Sequence, residues 1–295
     1  MNEKVAARWV IALAAVMWST SGFFAKSPFF ADWPLALDRM PVRGPLLAFW
    51  RAAFATVVLI PFVRRPRWTP KLIPLVAAYA AMNYAFLNAM TLTTEANAIW
   101  LQYTAPVWVF AVGVFVLGEP VDRRDGWLLL FCALGVGLIL CCEIRGQSPA
   151  GVIFGLLGGV TYAAVVLCLR QLRREDGAWL VMLSNAVTAL LFFPFVAHYH
   201  IWPSGHQMLY LAGFGMFQMG LPYLLFARAV RHVVGHEASA ILLLEPLLVP
   251  VWVFIAWGRS PAYEPPAWWT LVGGACILAG LAVRYAGRSN GCGAG

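Results

Sequence analysis

The sequence predicts an all-α, polytopic membrane protein of ten transmembrane helices, arranged as two inverted five-helix repeats around a central cavity. Hydrophobic residues make up 61% of the chain and charged residues only 12%, whereas about 25% of residues are charged in soluble proteins. About ten apolar runs fit into the 295 residues, each near the roughly 20 residues that a helix needs to cross a bilayer. Two stretches, 95–120 and 237–265, also repeat one pattern.

The ten predicted spans follow one another with short connections, which leaves no room for a soluble domain. The first span is not a cleaved signal peptide, because it is long, contains Trp18 and lacks a small-residue exit. The spans lie near 8–25, 45–63, 71–90, 96–117 and 126–142 in the first half, and near 150–169, 177–197, 206–227, 236–257 and 267–285 in the second.

The domain division is predicted near residue 147, inside a short polar link. Residues 1–147 would form the first repeat and 148–287 the second, followed by a disordered tail, 288–295. Five crossings per repeat make the second copy enter from the opposite side of the membrane. The two halves must therefore be inverted, which is a transporter architecture.

Basic residues are distributed by side of the membrane. Most of the 21 lysines and arginines fall in loops on one side, Arg64, Arg65 and Arg67 among them. The positive-inside rule then places both termini in the cytoplasm. The net charge of +8 is explained by this topology, and it does not form the clustered basic surface that nucleic-acid binding needs.

The repeated pattern predicts where a binding site would lie. Both copies open on E-A-[N/S]-A-I and continue through a proline that is followed by V-W-V-F, so that Pro106 corresponds to Pro250. Helix-breaking residues at matching places in two halves are the best sequence indication of a transporter's binding site. We expect the fourth and ninth spans to be kinked there.

The third span carries two polar pairs, Tyr79 with Asn83 and Tyr84 with Asn88. At 100° per residue the pairs cannot face the same neighbour. One pair would line a cavity and the other would bond an adjacent helix. We assign Tyr79 and Asn83 to the cavity because aromatic residues continue that face.

The fourth span places Trp100, Tyr103 and Thr104 on one face just before Pro106. A proline removes a backbone donor and frees a carbonyl one turn earlier, near Gln102, which is costly in a membrane. Water or substrate in a cavity could satisfy that carbonyl. A neighbouring side chain could equally do so.

Glu245, followed by Pro246, is an acid inside an apolar run of the ninth span. Such carboxylates cost about 2.5–3.5 kcal/mol to insert and are candidates for function. Glu245 could bind an amine, accept a proton or pair with Arg51, which lies deep in the second span. Arg51 could instead extend to the membrane surface.

Further polar residues interrupt the first, sixth and eighth spans. Each could be an interhelical hydrogen bond, but their concentration predicts a central, substrate-binding cavity. They are Trp18 and Ser19, Thr161 and Tyr162, and Gln218 and Tyr223, with Pro222 predicting a further kink.

No cofactor or metal site is predicted. His198, His200 and His206 lack a nearby Cys, Asp or Glu that would complete a metal site. The six cysteines imply no disulfide framework. The chain contains no phosphate-binding loop for ATP. Gly151, Gly155 and Gly159 form a small-residue stripe, which we interpret as a helix packing surface.

Several motifs, in order over both halves, resemble the EamA-like family of the drug/metabolite transporter superfamily. They include M-W-S-T-S-G-F-F-A-K at 17–26, F-W-R at 49–51, Y-T-A-P at 103–106 and L-L-E-P-L-L-V-P-V-W-V-F at 243–254, which leans toward the aromatic amino acid exporter branch. In these motifs Trp18, Arg51, Pro106, Glu245, Pro246 and Pro250 match family positions. The longer ending S-P-A-Y-E-P of the second copy departs from the L-G-E-P of the first, so the pairing of Glu119 with Glu264 is open.

The resemblance implies a monomeric carrier of the inner membrane that exports amino acids, aromatic or neutral, or related small metabolites. We expect alternating access, with Arg51, Pro106, Glu245, Pro246 and Pro250 in gating or coupling. The alternative is a polytopic membrane enzyme acting on lipid-linked substrates, for which only the histidine-containing loop gives a hint.

Overall fold

The protein, represented by a computed structural model, is described over residues 3–38, 40–116, 118, 123–143, 149–233, 235–261 and 263–286. The predicted tail, the domain boundary near residue 147 and Glu119 lie outside these residues. Helices dominate the described chain; they are α1 (Glu3–Ser19), α2 (Ser21–Ala25), α3 (Arg43–Leu59), α4 (Leu72–Leu92), α5 (Glu95–Gln102), α6 (Ala105–Phe115), α7 (Arg123–Glu143), α8 (Pro149–Gln171), α9 (Gly177–Tyr199), α10 (Gly205–Gly213), α11 (Leu221–Ala229), α12 (Gly235–Leu242), α13 (Leu244–Trp257) and α14 (Trp268–Ala286). A short hairpin of β1 (Ala36–Leu37) and β2 (Met40–Pro41) lies between α2 and α3.

In the described chain, eight helical segments are long and apolar enough to cross a membrane. Two shorter apolar helices, Gly126–Cys142 and Trp268–Val283, lie where the fifth and tenth spans are predicted. The chain is therefore an all-α, multi-pass membrane protein. The eight segments are Glu3–Ala25, Arg43–Phe62, Leu72–Leu92, Glu95–Phe115, Pro149–Gln171, Gly177–Tyr199, Gly205–His232 and Ala240–Trp257.

Four of these segments are interrupted within their length. The first is interrupted at Thr20, the fourth at Tyr103 and Thr104, and the ninth predicted span at Leu243. In the eighth predicted span, a π-helical turn, Phe214–Gly220, joins α10 to α11 just before Pro222. Proline cannot donate a backbone hydrogen bond, which accounts for an irregular turn here.

Close helix contacts depend on the glycines of α8. A Cβ atom added at Gly155 would lie 2.9 Å from Leu101, and one added at Gly159 would lie 2.4 Å from the Thr104 hydroxyl oxygen. A Cβ at Gly151 would meet Thr93 at 2.7 Å. The predicted packing role of this stripe is confirmed, because α8 contacts the broken fourth span along it.

The other helices pack in pairs across the bundle. The main pairs are α4 with α8, α7 with α14, α3 with α9, α1 with α11, α1 with α13, and α5 with α13. Gly135 of α7 and Gly273 of α14 face each other, since a Cβ on either would lie within 2.7 Å of the other's carbonyl oxygen. Large apolar side chains such as Phe115 and Leu190 stay exposed on the outside, as expected for a surface solvated by lipid.

The two ends of the bundle, named here the Glu3 end and the Lys26 end after the first span, are both held by contacts between distant segments. At the Glu3 end, Arg8 pairs with Glu237 at 2.5 Å. At the Lys26 end, the Phe23 and Trp257 rings stack with centroids 5.3 Å apart, and the Trp257 indole donates to the Phe23 carbonyl at 2.9 Å.

Asp176 joins two segments at the Glu3 end. Its carboxylate accepts hydrogen bonds from the backbone N–H groups of Arg64 and Arg65, at 2.7 and 3.0 Å, and from that of Ala178 at 3.0 Å. It therefore caps α9 and fixes the chain that follows α3. Burial acts to raise the pKa of Asp176, but these backbone donors together hold it below its ordinary value.

Candidate substrate site

Arg51 is buried in the middle of α3, with 3% of its surface exposed. Its guanidinium donates a hydrogen bond to the Asn83 side-chain oxygen, and its Nε has no hydrogen-bond partner. The guanidinium carbon lies 5.0 Å from the Phe214 ring centroid and 5.9 Å from that of Phe86. The alternative in which Arg51 extends to the membrane surface is therefore wrong.

The π-helical turn brings Phe214 to Arg51. A Cβ atom added at Gly215 would lie 2.5 Å from the Arg51 carbonyl oxygen and 2.4 Å from Phe54. One added at Gly220 would lie 2.2 Å from Val58. Only a backbone without side chains at these two positions can approach α3 so closely, so the sequence around Pro222 sets the position of the Phe214 ring.

Asn83 and Tyr79 continue the polar contacts away from Arg51. The Asn83 amide donates to the Tyr79 carbonyl at 2.9 Å, and the Tyr79 hydroxyl accepts from the Asn185 amide of α9 at 3.0 Å. This face of α4 is directed at α3 and α9. The predicted pair thus lies in the interior, where it links three helices.

The second polar pair of α4 serves helix packing. The Asn88 amide donates to the Tyr84 carbonyl at 2.9 Å. A Cβ atom added at Gly44 of α3 would lie 2.3 Å from the Asn88 side-chain oxygen. The Tyr84 ring stacks on Phe192 with centroids 6.0 Å apart. The hydrogen bond stays within α4, so this pair meets the neighbouring helices by packing and not by the interhelical bond that the sequence predicts.

Glu245 lies in the first turn of α13 and keeps part of its surface accessible. The Tyr103 hydroxyl donates to its Oε2 at 2.8 Å. Within the described part of the chain, no nitrogen of Arg51 lies within 4.0 Å of a Glu245 oxygen. The alternative of a direct Arg51–Glu245 ion pair is therefore wrong, although the two groups are close enough to attract each other.

Trp100 and Tyr103 bond the backbone of the ninth span. The Trp100 indole donates to the Pro246 carbonyl at 3.0 Å. The single proton of the Tyr103 hydroxyl is shared between the Leu242 carbonyl, at 3.1 Å, and Glu245 Oε2, at 2.8 Å. These carbonyls lie four residues before Pro250 and Pro246, so the prolines leave both without their helical donor. In the ninth span, side chains of a neighbouring helix satisfy the freed carbonyls.

Pro106 plays a different local role. It is the second residue of α6, after the break at Tyr103 and Thr104. A proline in the first turn of a helix removes a donor that would be unpaired anyway. Pro106 therefore begins a new helix, whereas Pro250 lies inside α13.

The first and eighth spans meet through Trp18 and Gln218. The Gln218 amide donates to the Trp18 carbonyl at 3.0 Å, and the Trp18 ring contacts the Tyr223 ring edge-on with centroids 5.0 Å apart. Ser19 accepts a hydrogen bond from the Trp252 indole at 2.8 Å. Gln218 and Ser19 thus form interhelical hydrogen bonds, and Trp18 remains partly accessible.

In the sixth span, the Thr161 hydroxyl donates to the Leu157 carbonyl of its own helix at 2.7 Å. Tyr162 and Tyr223 are partly buried and pack against the core cluster that contains Tyr79. We name the central group by its members, which come from α3, α4, α8, α11 and α13: Arg51, Tyr79, Tyr162, Tyr223 and Glu245.

Two features of the interior are absent from the sequence predictions. Asn185 bonds Tyr79, and its position in an apolar run is the signal that would have found it. Glu95 is buried with its Oε1 unpartnered, near Lys26, whose ammonium donates to the Thr93 carbonyl at 2.6 Å. No group of three or more His, Cys, Asp and Glu side chains that could hold a metal occurs among the described residues.

Comparisons with known proteins agree with these observations. The sequence profile of the EamA-like transporter family matches the chain twice, over residues 6–141 and 149–285. An uncharacterized transporter of Archaeoglobus fulgidus is 27% identical over 286 residues, which cover 93% of this chain and 94% of that protein. The pseudopaline exporter CntI of Pseudomonas aeruginosa is 23% identical over 242 residues, which cover 78% of this chain and 84% of that protein. One crystal structure aligns with a TM-score of 0.64 at 17% identity and covers 95% of this chain and 97% of its own, a likeness in fold alone.

Proposed function

Because the chain belongs to the EamA-like transporter family, we propose that it is a secondary transporter that exports amino acids, aromatic or neutral, or related small metabolites by alternating access. The observation that carries the proposal is the central group, whose polar and aromatic side chains lie on five helices, of which α11 and α13 adjoin helix breaks. The name of the pseudopaline exporter supports export of a small metabolite. The family and its relatives point to transport rather than catalysis.

We propose ten spans in two inverted repeats, with α7 and α14 as the fifth and tenth. Two observations support this arrangement: the family profile matches once in each half, and the helix pairs are reciprocal. The contact of the third span with the sixth (α4 with α8) has its counterpart in that of the eighth with the first (α11 with α1). The second span contacts the seventh, its own counterpart (α3 with α9).

We propose that the broken fourth and ninth spans are the gates. Their breaks precede Pro106 in one span and Pro246 in the other, and α5 contacts α13 directly. The Arg8–Glu237 pair would close the Glu3 end, and the Phe23–Trp257 stack would close the Lys26 end. Each end would open by breaking its own contact while the other remains intact.

The proposed location is the inner membrane, with the Glu3 end in the cytoplasm, both termini on that side and a monomer as the working unit. Arg64, Arg65 and Arg67 support this orientation, because they follow the end of the second span on the same side as Glu3. Basic residues next to a span are retained in the cytoplasm.

The test is uptake of radiolabelled amino acids by liposomes that contain the purified protein, with and without a pH gradient. Saturable uptake of an aromatic or neutral amino acid is expected, and its dependence on the gradient reports proton coupling. Uptake no faster than in protein-free liposomes, for every amino acid, would overturn the amino acid assignment.

The gates are tested in a variant without native cysteines, carrying either Arg8→Cys with Glu237→Cys or Phe23→Cys with Trp257→Cys. Oxidation should stop uptake in both, and reduction should restore it, since alternating access needs both ends to open. The single-cysteine variants are the controls. Full uptake by a completely cross-linked protein would refute the gating assignment.

A further inference from the structure

We propose that Arg51 and Glu245 are the two charged poles of the substrate site, and that a solute carrying both an anionic and a cationic group bridges them during transport. This inference rests on the proposed function as a transporter. It assigns the anionic group of the solute to Arg51 and the cationic group to Glu245.

The positive pole is a guanidinium that has no carboxylate partner among the residues that the structure describes. Arg51 donates to a neutral amide, Asn83, and lies against the rings of Phe214 and Phe86. Aromatic faces attract a cation but do not neutralise it. A charge inside a membrane protein is costly unless it is paired. An anionic group of a solute would supply the negatively charged partner of the Arg51 guanidinium.

The negative pole is a carboxylate that is held but not neutralised. Tyr103 donates to one oxygen of Glu245, and the side chain keeps accessible surface. Its place in the first turn of α13 puts it at the N-terminal end of a helix, which carries partial positive charge. The hydroxyl of Tyr103 and the helix end orient the carboxylate and leave it free for a cation.

The poles lie on α3 and α13 without touching. In the described part of the chain no Arg51 nitrogen lies within 4.0 Å of a Glu245 oxygen, yet each group is near enough to act on the charge of the other. Asn83 accepts a hydrogen bond from Arg51, and Tyr103 donates one to Glu245. A solute with complementary ends would bridge the two groups.

The test compares solutes that differ in one charge. Phenylalanine, leucine and serine are each measured beside their amide, which lacks the anionic group, and their N-acetyl derivative, which lacks the cationic group. Competition against uptake of the best radiolabelled amino acid gives relative affinities. The wild-type protein should prefer the zwitterion by about 10-fold or more over either derivative, the scale of one charged hydrogen bond.

The variants then identify the poles. Arg51→Gln should abolish the preference over the amide and keep the preference over the N-acetyl derivative, and Glu245→Gln should do the reverse. Arg228→Gln is the matched control, because Arg228 also lies over a ring, that of Phe62 at 5.7 Å, but belongs to no part of the central group. If Arg51→Gln does not fold, Arg51→Lys should retain the preference over the amide, as a single positive charge suffices.

Distinct results overturn distinct claims. Uptake with unchanged preferences in both folded variants would overturn the poles and leave the transporter intact. Loss of pH-gradient dependence in Glu245→Gln, with its preference over the N-acetyl derivative retained, would make Glu245 a proton site instead. Absence of uptake of every amino acid by the wild-type protein would overturn the amino acid assignment together with the poles.

Discussion

Replacing Trp100 by phenylalanine should destabilise the protein through a backbone carbonyl on another helix. The Trp100 indole is the donor to the Pro246 carbonyl, which Pro250 deprives of its usual helical partner. Trp100 has 4% of its surface exposed, so water cannot readily replace it. The aromatic body would remain in the variant, and the donor would not.

The expected cost follows from leaving one buried acceptor unpaired, about 1–3 kcal/mol. Restoring the backbone donor should remove most of it. In a Pro250→Ala background, the amide of residue 250 can donate to the same carbonyl. Trp100→Phe should then cost less than about 1 kcal/mol. The difference between the two backgrounds is the coupling free energy between the proline and the indole.

Thermal unfolding in detergent, followed by the fraction of protein that stays monodisperse, compares the four proteins of this cycle. We expect Trp100→Phe to lower the midpoint clearly when Pro250 is present and only slightly when it is alanine. Equal lowering in both backgrounds would show that the tryptophan contributes by packing alone. The assignment of the indole as the substitute donor would then be wrong.

Three further predictions concern local contacts. Gly159→Ala should cost about 1–3 kcal/mol by overpacking, since its Cβ would lie 2.4 Å from a facing hydroxyl, whereas Gly137→Ala, with nothing within 4 Å, should cost nothing in the same thermal assay. Asp176→Asn should remove about 1 kcal/mol at neutral pH, because hydrogen bonds to a charged acceptor are stronger than those to a neutral amide oxygen. Because the folded pKa of Asp176 is lowered, its contribution should be complete above the ordinary carboxyl value near pH 4 and disappear as the pH falls through the lowered pKa, so wild type and Asp176→Asn should converge in acid. Arg8→Ala should change stability by less than about 1 kcal/mol, because Arg8 and Glu237 are 46% and 36% exposed.

Eight of the ten predicted spans coincide with described helices that are long and apolar enough to cross a membrane, because apolar length is a strong signal. The main differences lie at helix ends. The first span begins at Glu3 rather than at residue 8, and the eighth predicted span extends to His232 rather than to 227. Polar and charged residues at these ends lower the local hydropathy, so a prediction from hydropathy ends the helix too early. Helix termini depend on capping and local contacts, which composition does not record.

The sequence indicates which types of polar residue lie in the interior, but it does not indicate which residues they contact. Most polar residues chosen from an apolar run lie in the interior or contact another helix, but which helix they meet depends on the packing of spans distant in sequence. Thr161 illustrates the limit, because its hydroxyl donates to its own helix. Trp100 illustrates the opposite case, because its partner lies 146 residues away. Periodicity gives the face of a helix and cannot give the neighbour.

The bonds between the fourth and ninth spans bear on how two gates would move together. The ninth span contains the prolines that free the Leu242 and Pro246 carbonyls, and the fourth span supplies Tyr103 and Trp100 as donors. A shift of one span alone would leave two acceptors unpaired in a low-dielectric interior, where each is expensive. A joint shift would keep both bonds. Alternating access would require that one end opens while the other closes, and under the proposed mechanism these two hydrogen bonds would make separate motion of the two spans more costly than joint motion.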